Sequence, residues 1–397
     1  MTVNSKSKLL LLDTLRCMVF SAGILFILFL LTRLINFGAF DLYRLTFKEF
    51  SFLDTYYAED FKRDKTNTCE EIVLVNVQHF NRSELATIIE NIQKEQPKVI
   101  GVDVIFDHQK KDSTDKRLSA ALQPENVVTA FAFQNRQLVK NHPVLGVFRH
   151  KLGYANFNFD TYNAVIRNFQ AKNTFEGHEY QSFGLRVAQT YLGTRKKLHW
   201  VAIDSKSIPI NYSGGLNRYE VVNGNTLLLG KPEPILKNKI VLLGYLGTPL
   251  GSQFDIEDKH FTPMNKEFLG KSAPDTFGVV VHANIIEMLV KDKMHYIVPN
   301  WIVWSIGLLL TFLSLAFFIT LNKKSLATYM FTRKITQLAI TILFIGVALW
   351  LLSNNVYFKI TSVIWYIVLS IECIWAYKVF SNYTNKKFGW KSYFFQS

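Results

Sequence analysis

The apolar residues of this chain are gathered into blocks, and the blocks decide what it can fold into. Residues 17–34 run almost unbroken through Val, Phe, Ile and Leu, and residues 301–321, 335–352 and 360–377 are three further runs of that kind. A helix needs about 20 such residues to cross the hydrocarbon core of a bilayer. Four α-helical transmembrane segments are therefore predicted, one N-terminal and three C-terminal. Lys6, Lys8 and Arg16 ahead of the first run also suit a cleaved signal peptide. The run exceeds the about 7–15 residues of a signal h-region, however, and no small-x-small cleavage site follows it. An uncleaved anchor over residues 17–36 is expected. Trp301, Trp304, Trp350, Tyr357 and Tyr377 fall near the ends of the later runs, where amphipathic rings favour the membrane interface.

The net charge of +14 raises the question of a nucleic-acid partner, and its location answers it. Residues 37–298 hold 32 Lys+Arg against 29 Asp+Glu, whereas the remainder of the chain holds 13 against 2. The excess flanks the apolar runs as a topology signal does, and no basic stripe for phosphates is present. Lys323, Lys324, Arg333 and Lys334 lie between the second and third runs, Lys378, Lys386, Lys387 and Lys391 follow the fourth, and Lys359 is alone in the loop between the third and fourth. Positive residues stay inside. The expected layout is a cytoplasmic N-terminus (1–16), an anchor (17–36), an extracytoplasmic domain (37–298), three membrane helices (299–380) and a short basic cytoplasmic tail (381–397). A bacterial inner membrane, with residues 37–298 periplasmic or extracellular, fits this arrangement.

Between the membrane runs the chain alternates strand and helix patterns. Residues 71–77 and 99–106 are β-branched runs of buried-strand composition, separated by a helix that Ser83 can cap and Pro97 stops. Residues 115–122 suit a short helix and 126–133 a third strand. A weaker stretch, 134–238, contains a predicted helix at 182–192 and a brief strand at 208–212. Then 239–244 reads as another buried strand and 277–290 as a helix. Such alternation argues for an α/β domain with a mostly parallel sheet covered on both faces. Of three cysteines, Cys17 and Cys373 lie in apolar runs and Cys69 is alone between them, so no disulfide framework or paired-cysteine zinc site is expected in the domain.

Six segments, in order, carry a family resemblance. They are 97–107 (PKVIGVDVIFD), the spaced Gly153, Asn156, Asp160 and Arg167, 210–214 (INYSG), 239–247 (KIVLLGYLG), 258–263 (DKHFTP) and 278–289 (GVVVHANIIEML). Together they resemble a bacterial CHASE domain of the second type, a sensory extracellular module associated with cyclases and histidine kinases. The resemblance implies sensing, and three C-terminal spans are its usual arrangement. Two departures stand out. Asn76, Gln78 and His79 occupy a strand end where the family commonly carries acidic residues, and no kinase, cyclase or other output domain is expected after the last span.

Ligands of parallel α/β sheets bind outside the C-terminal strand ends. Asp103 and Asp107 are expected at one such end, Asp258, His260 and Thr262 in the loop after another, and His282 and Asn284 on the next helix. Brought together, these groups offer carboxylate and imidazole to a polar ligand or a divalent cation. The competing reading is a hydrogen-bonded tether that fixes the 262–263 turn, since buried polar groups must find partners. Gly244, Gly247 and Gly251 have the spacing of neither nucleotide fingerprint, and the 212–214 segment is no nucleophile elbow. No catalytic residue, resident metal or cofactor is identified. Glu372, the one carboxylate within a run, is expected to pack between helices or reach towards the interface. Phe40, Tyr43, Phe47, Phe50, Phe52, Tyr56 and Tyr57 form an aromatic linker beside the first span.

Two functions stay open: a non-enzymatic membrane sensor that signals through its helices to a separate membrane or cytoplasmic protein, or a scaffold subunit of a bacterial envelope complex. The bilayer is a partner in both; a homo-oligomer is open, and nucleic acid is not expected.

Overall fold

The computed structural model describes residues 3–34, 52–58, 68–159, 164–193, 207–265, 273–322, 326–359 and 361–395. Two compact units emerge, Leu53–His295 and a second made of Met1–Phe52 with Tyr296–Ser397. Of the aromatic linker, Phe40, Tyr43, Phe47 and Phe50 lie outside the described residues, as does Asp160.

The first unit is built on a seven-stranded sheet. Its strands are β1 (Cys69–Asn76), β2 (Val99–Val102), β3 (Val127–Gln134), β4 (Gln137–Val139), β5 (Leu152–Tyr154), β6 (Tyr219–Asn223) and β7 (Ile240–Gly244). They run in the order β6-β1-β7-β2-β3-β4, with β5 also on β3. Pairing is parallel except for the β3–β4 hairpin. A parallel sheet needs cover on both faces, and β2 and β7 are buried at every position. Side chains alternate across the sheet. Val73, Val75, Ile100, Val102, Val241 and Leu243 pack with helices Arg82–Lys94 and Asp112–Leu122 on one face. Ile72, Leu74, Val99, Ile240 and Leu242 pack with helices Phe183–Leu192 and Gly278–Val290 on the other.

Several boundaries differ from the sequence reading. The first helix is capped by Asn81 rather than Ser83: the Asn81 side chain accepts from Ser83 N and Glu84 N, and Glu84 returns a bond to Asn81 N at 2.7 Å. That reciprocal pair satisfies two otherwise unpaired donors. β2 ends at Val102, because Asp103 N makes the last bond to Leu243 O (2.8 Å) before the chain turns away. The strand expected at 208–212 is paired only at Ile208–Pro209, leaving Asn211 to Gly214 as a strap.

In the second unit, helices Val3–Leu34, Asn300–Leu321 and Leu326–Ser353 each contain a stretch long and apolar enough to cross a membrane. The fourth predicted span is not straight. Thr361–Glu372 and Ile374–Phe388 are bent by 48° at Cys373, and they make a fourth crossing if counted as one. Many large apolar side chains on these helices are exposed, among them Val19, Phe26, Leu309, Leu338 and Trp350, as lipid-facing positions are. Glu372, at the bend, pairs with Lys334 at 2.5 Å and Arg333 at 3.2 Å and accepts from Gln337 at 3.1 Å. It therefore joins two helices through an ion cluster, the interhelical role expected of it. Residues 381–388, expected as tail, continue the last helix. Beyond it, Ser392 Oγ and Tyr393 N donate to the fully buried Asp13 carboxylate, both at 2.7 Å.

Candidate functional site at the carboxyl ends of the central strands

The connections after β1 and β2 pass to one face of the sheet, and the connection after β7, which lies between them, leads to the other. Adjacent strands whose connections diverge open a crevice at their carboxyl ends. Asn76, at the end of β1, is buried there and spends its amide on the chain: it accepts from Leu246 N and Gln78 N and donates to Gly247 O at 2.8 Å. The amide thus pins the loop after β7. Further along that loop, the Asp255 carboxylate accepts from Thr248 N and Glu257 N, both at 3.0 Å, and from the Tyr245 hydroxyl.

Four of the seven sequence-predicted site residues gather beside this crevice. Asp103 stands 3.9 Å from His282 Nε2, their side chains 12% and 4% exposed. That spacing is too long for a direct hydrogen bond. Burial, reinforced by the Asp258 charge, pushes the Asp103 carboxyl up to about 8. Burial, with His260 nearby, pushes the His282 imidazole down to about 3. Each group is thereby held uncharged near neutral pH. His282 Nδ1 has no hydrogen-bond partner among the described residues. Phe157 bridges the two imidazoles, its ring centroid 4.5 Å from that of His282 and 5.3 Å from that of His260. His260 in turn faces Asp258 at 3.5 Å.

Asp258 lies over the start of helix Gly278–Val290. Its carbonyl accepts from Gly278 N at 2.9 Å, and a Cβ added to Gly278 would sit 2.9 Å from its Oδ2. The close approach sets a carboxylate at the positive end of the helix.

The other three residues are placed differently. Thr262 Oγ1 is engaged with Thr276 Oγ1 at 3.1 Å and with Met264 N. Asn284 accepts from Ser213 N and Gly214 N and donates to Gly214 O, clasping the strap to the helix. Asp107 sits on an exposed loop, paired with His108 at 2.5 Å. Among the described residues no group of three His, Cys, Asp or Glu side chains is set to hold a metal ion.

The ribbon formed by Lys259–His260 and Thr276–Phe277 has a second side. His260 faces Phe157, so its neighbour Lys259 points away from it, into a cleft of about 590 Å³ lined also by Leu216, Phe254, Asp275, Phe277 and Val280. Sequence reasoning missed Lys259 and Asp275. Strand alternation next to His260 was the available signal.

Where the chain enters and leaves this unit, a buried polar cluster joins the two ends. Arg167 makes a bidentate pair with Asp54, at 2.6 to 3.1 Å, both residues at most 6% exposed. The Tyr57 hydroxyl meets Asn211 Oδ1 at 3.1 Å and His295 Nε2 at 3.0 Å, and Asn211 donates to Lys293 O. Asp54 and Tyr57 belong to the short helix Phe52–Ala58, and the helix Gly278–Val290 leads into residues 291–295.

Comparison with curated proteins and with solved structures returned no match. A model of the CHASE2 domain family matches residues 25–319, nearly three quarters of the chain and including all six segments noted in the sequence. CHASE2 is a sensory domain rather than a catalytic one, and this chain belongs to the CHASE2 family.

Proposed function

We propose that the protein is a non-enzymatic sensor of a bacterial inner membrane, both termini cytoplasmic and the sheet unit outside. A ligand at the carboxyl-end crevice shifts the helix Gly278–Val290, and a separate membrane or cytoplasmic protein reads the result. The observation that carries this reading is the helix itself. All 13 of its residues are buried, so it has no solvated side on which to move independently. Its first turns lie against Asp258 and Asp103, and its far end runs into the cluster around Tyr57 and His295. Thirteen residues span about 20 Å, enough to link the two places by one rigid element. Asp103, Asp258, His260 and His282 form the responsive polar floor, Thr262 and Asn284 hold the surrounding turns, and Asp107 has no part. Ligand can bias such an element only by binding one position of it better than another.

The test is a thermal-shift screen of the full chain in lipid nanodiscs against amino acids, organic acids, amines and sugars, with hydrogen exchange measured on any stabilising compound. Altered exchange in 53–58 and 288–295 is expected. A stabilising compound that leaves both segments unchanged refutes the coupling.

A second reading, a scaffold subunit of an envelope complex, is favoured by one observation: Leu250 and Ile256 are 46% and 65% exposed on the loop after β7. Leu250→Ser with Ile256→Ser is then expected to release a stoichiometric partner that survives mild detergent, and a sensor loses none.

A further inference from the structure

We infer that the cleft beside Lys259 binds a small zwitterion, an α-amino acid with an apolar side chain. The inference rests on the sensor reading above and adds a second ligand site to it, on the opposite side of the Lys259–His260 ribbon from the crevice. The cleft, of about 590 Å³, is of the size that encloses a small metabolite. Among the described residues its walls carry one charge of each sign. Lys259 Nζ donates to Ser252 O at 2.6 Å and stands 4.8 Å from the centre of the Phe277 ring. An ammonium has three donors, and among the described residues no carboxylate pairs with this one. Asp275 is exposed to the cleft and accepts from Thr276 Oγ1 at 2.9 Å. Burial pushes its carboxyl above the usual range while the Thr276 hydroxyl and Lys259 oppose that rise, and among the described residues Lys259 and Asp275 do not close an ion pair.

Two opposite charges that share one cleft and attract each other without closing an ion pair are complementary to a molecule carrying both. The ligand carboxylate goes to Lys259 and its ammonium to Asp275. Beside the polar Gln253 and Thr276, the remaining wall holds Leu216, Phe254, Phe277 and Val280, an apolar group that takes a hydrocarbon side chain. Phe254 is 96% exposed, and covering it on binding adds a hydrophobic gain proportional to the area removed from water. Val280 belongs to the helix that carries His282, so a seated ligand touches the element assigned to transmission.

The test uses the full chain in nanodiscs and four probes: L-phenylalanine, L-leucine, N-acetyl-L-phenylalanine, which lacks the ammonium, and L-phenylalaninamide, which lacks the carboxylate. Both amino acids are expected to bind and raise the melting temperature. Each derivative is expected to bind at least about tenfold more weakly, the scale of one lost charge-assisted hydrogen bond. Lys259→Gln weakens L-phenylalanine by a similar factor and abolishes the preference over the amide; Asp275→Asn abolishes the preference over the acetyl compound. Equal binding of all four probes, or variants that keep both preferences, overturns the zwitterion assignment. Absence of binding by either amino acid up to about 10 mM, a concentration at which even millimolar affinities register, overturns it as well. If an acid or an amine from the wider screen then stabilises the chain, the sensor reading survives this failure. Silence of every compound ends both.

Discussion

The two faces of the sheet are covered in contrasting ways. On one, helices Arg82–Lys94 and Asp112–Leu122 lie in a single layer with solvated outer sides, where Arg117 meets Glu90 at 2.8 Å and Lys116 meets Asp112 at 2.9 Å. On the other, helix Gly278–Val290 is enclosed on all sides, with polar groups buried beside it. Glu287, 3% exposed, holds Arg218 at 2.8 Å and Lys291 at 3.0 Å, while Asn284 clasps the strap and His282 Nδ1 has no hydrogen-bond partner among the described residues. Each helix of the first face is made by residues close in sequence to the strands it covers. The second face is assembled from segments far apart, and every functional proposal made above falls on it.

The contrast breaks most visibly at Arg167. Arg167→Met removes one partner of a buried ion pair, a change that costs about 3–5 kcal/mol. For a unit of this size that is a fall of about 6–20 °C in melting temperature. Adding Asp54→Leu is expected to restore much of it, because the double variant buries no charge. If Arg167→Met is silent in a thermal melt of the full chain, the entry helix Phe52–Ala58 is not held to the strand Ile166–Phe169 by that pair.

Packing comes next. A Cβ at Gly184 would lie 2.7 Å from Ile285 Cγ2, and one at Gly244 would lie 2.5 Å from Val279 Cβ. Gly184→Val forces helices Phe183–Leu192 and Gly278–Val290 apart and is expected to cost about 1–3 kcal/mol, the usual range for overpacking. On the opposite face Ile88→Val, a buried deletion of one methyl, costs about 0.5–1.5 kcal/mol. Melting temperatures of the two variants in parallel check the order.

The same division separates what was legible in the sequence from what was not. The β1-helix-β2 unit, the strand before Gly244 and the helix after Phe277 were readable because their signals are local. The cap was readable too: Glu84 stands three residues after Asn81, as a capping box requires, while Ala86 stands three after Ser83. Asp54 and Arg167 are 113 residues apart, and no local pattern announces their pairing. Of the site residues, Asp103, Asp258, His260 and His282 were brought together by topology. Asn284 is consumed by backbone partners and Thr262 by the Thr276 hydroxyl and Met264 N, a distinction that depends on loop geometry. Lys259 became legible only once the pairing of Lys259–His260 with Thr276–Phe277 was known. The bend at Cys373 is unmarked, since Ile374 to Tyr377 continues the apolar composition.

Acid–base behaviour sharpens the comparison within the enclosed face. With its carboxyl at about 8, folded Asp103 keeps a proton that the unfolded chain releases near pH 4. Stability therefore falls as pH rises from about 4 to about 8. Asp103→Asn is expected to remove that slope, so the variant gains on wild type across the window and most at its upper end. His282, at about 3, acts on the other limb, where the unfolded chain takes up a proton first and stability is lost as pH falls below about 6.5. Glu287 adds to that acid loss. Burial opposes its ionisation, but Arg218 and Lys291 outweigh burial and hold it below the usual range. Difference curves of melting temperature against pH separate the groups, and an unchanged slope in Asp103→Asn refutes the buried neutral acid.

The smallest effect belongs to the solvated face. Lys116 and Asp112 are spaced i,i+4 with side chains 75% and 70% exposed. Lys116→Ala is expected to lower the melting temperature by no more than about 1–2 °C, an effect that vanishes at high salt. This prediction has force because it is small. A cost of several degrees that survives salt would mean the pair is not facing water in the native protein, and that the outer side of helix Asp112–Leu122 is covered as thoroughly as helix Gly278–Val290. The asymmetry between the faces would then be absent, and with it the reason to place sensing on one face alone.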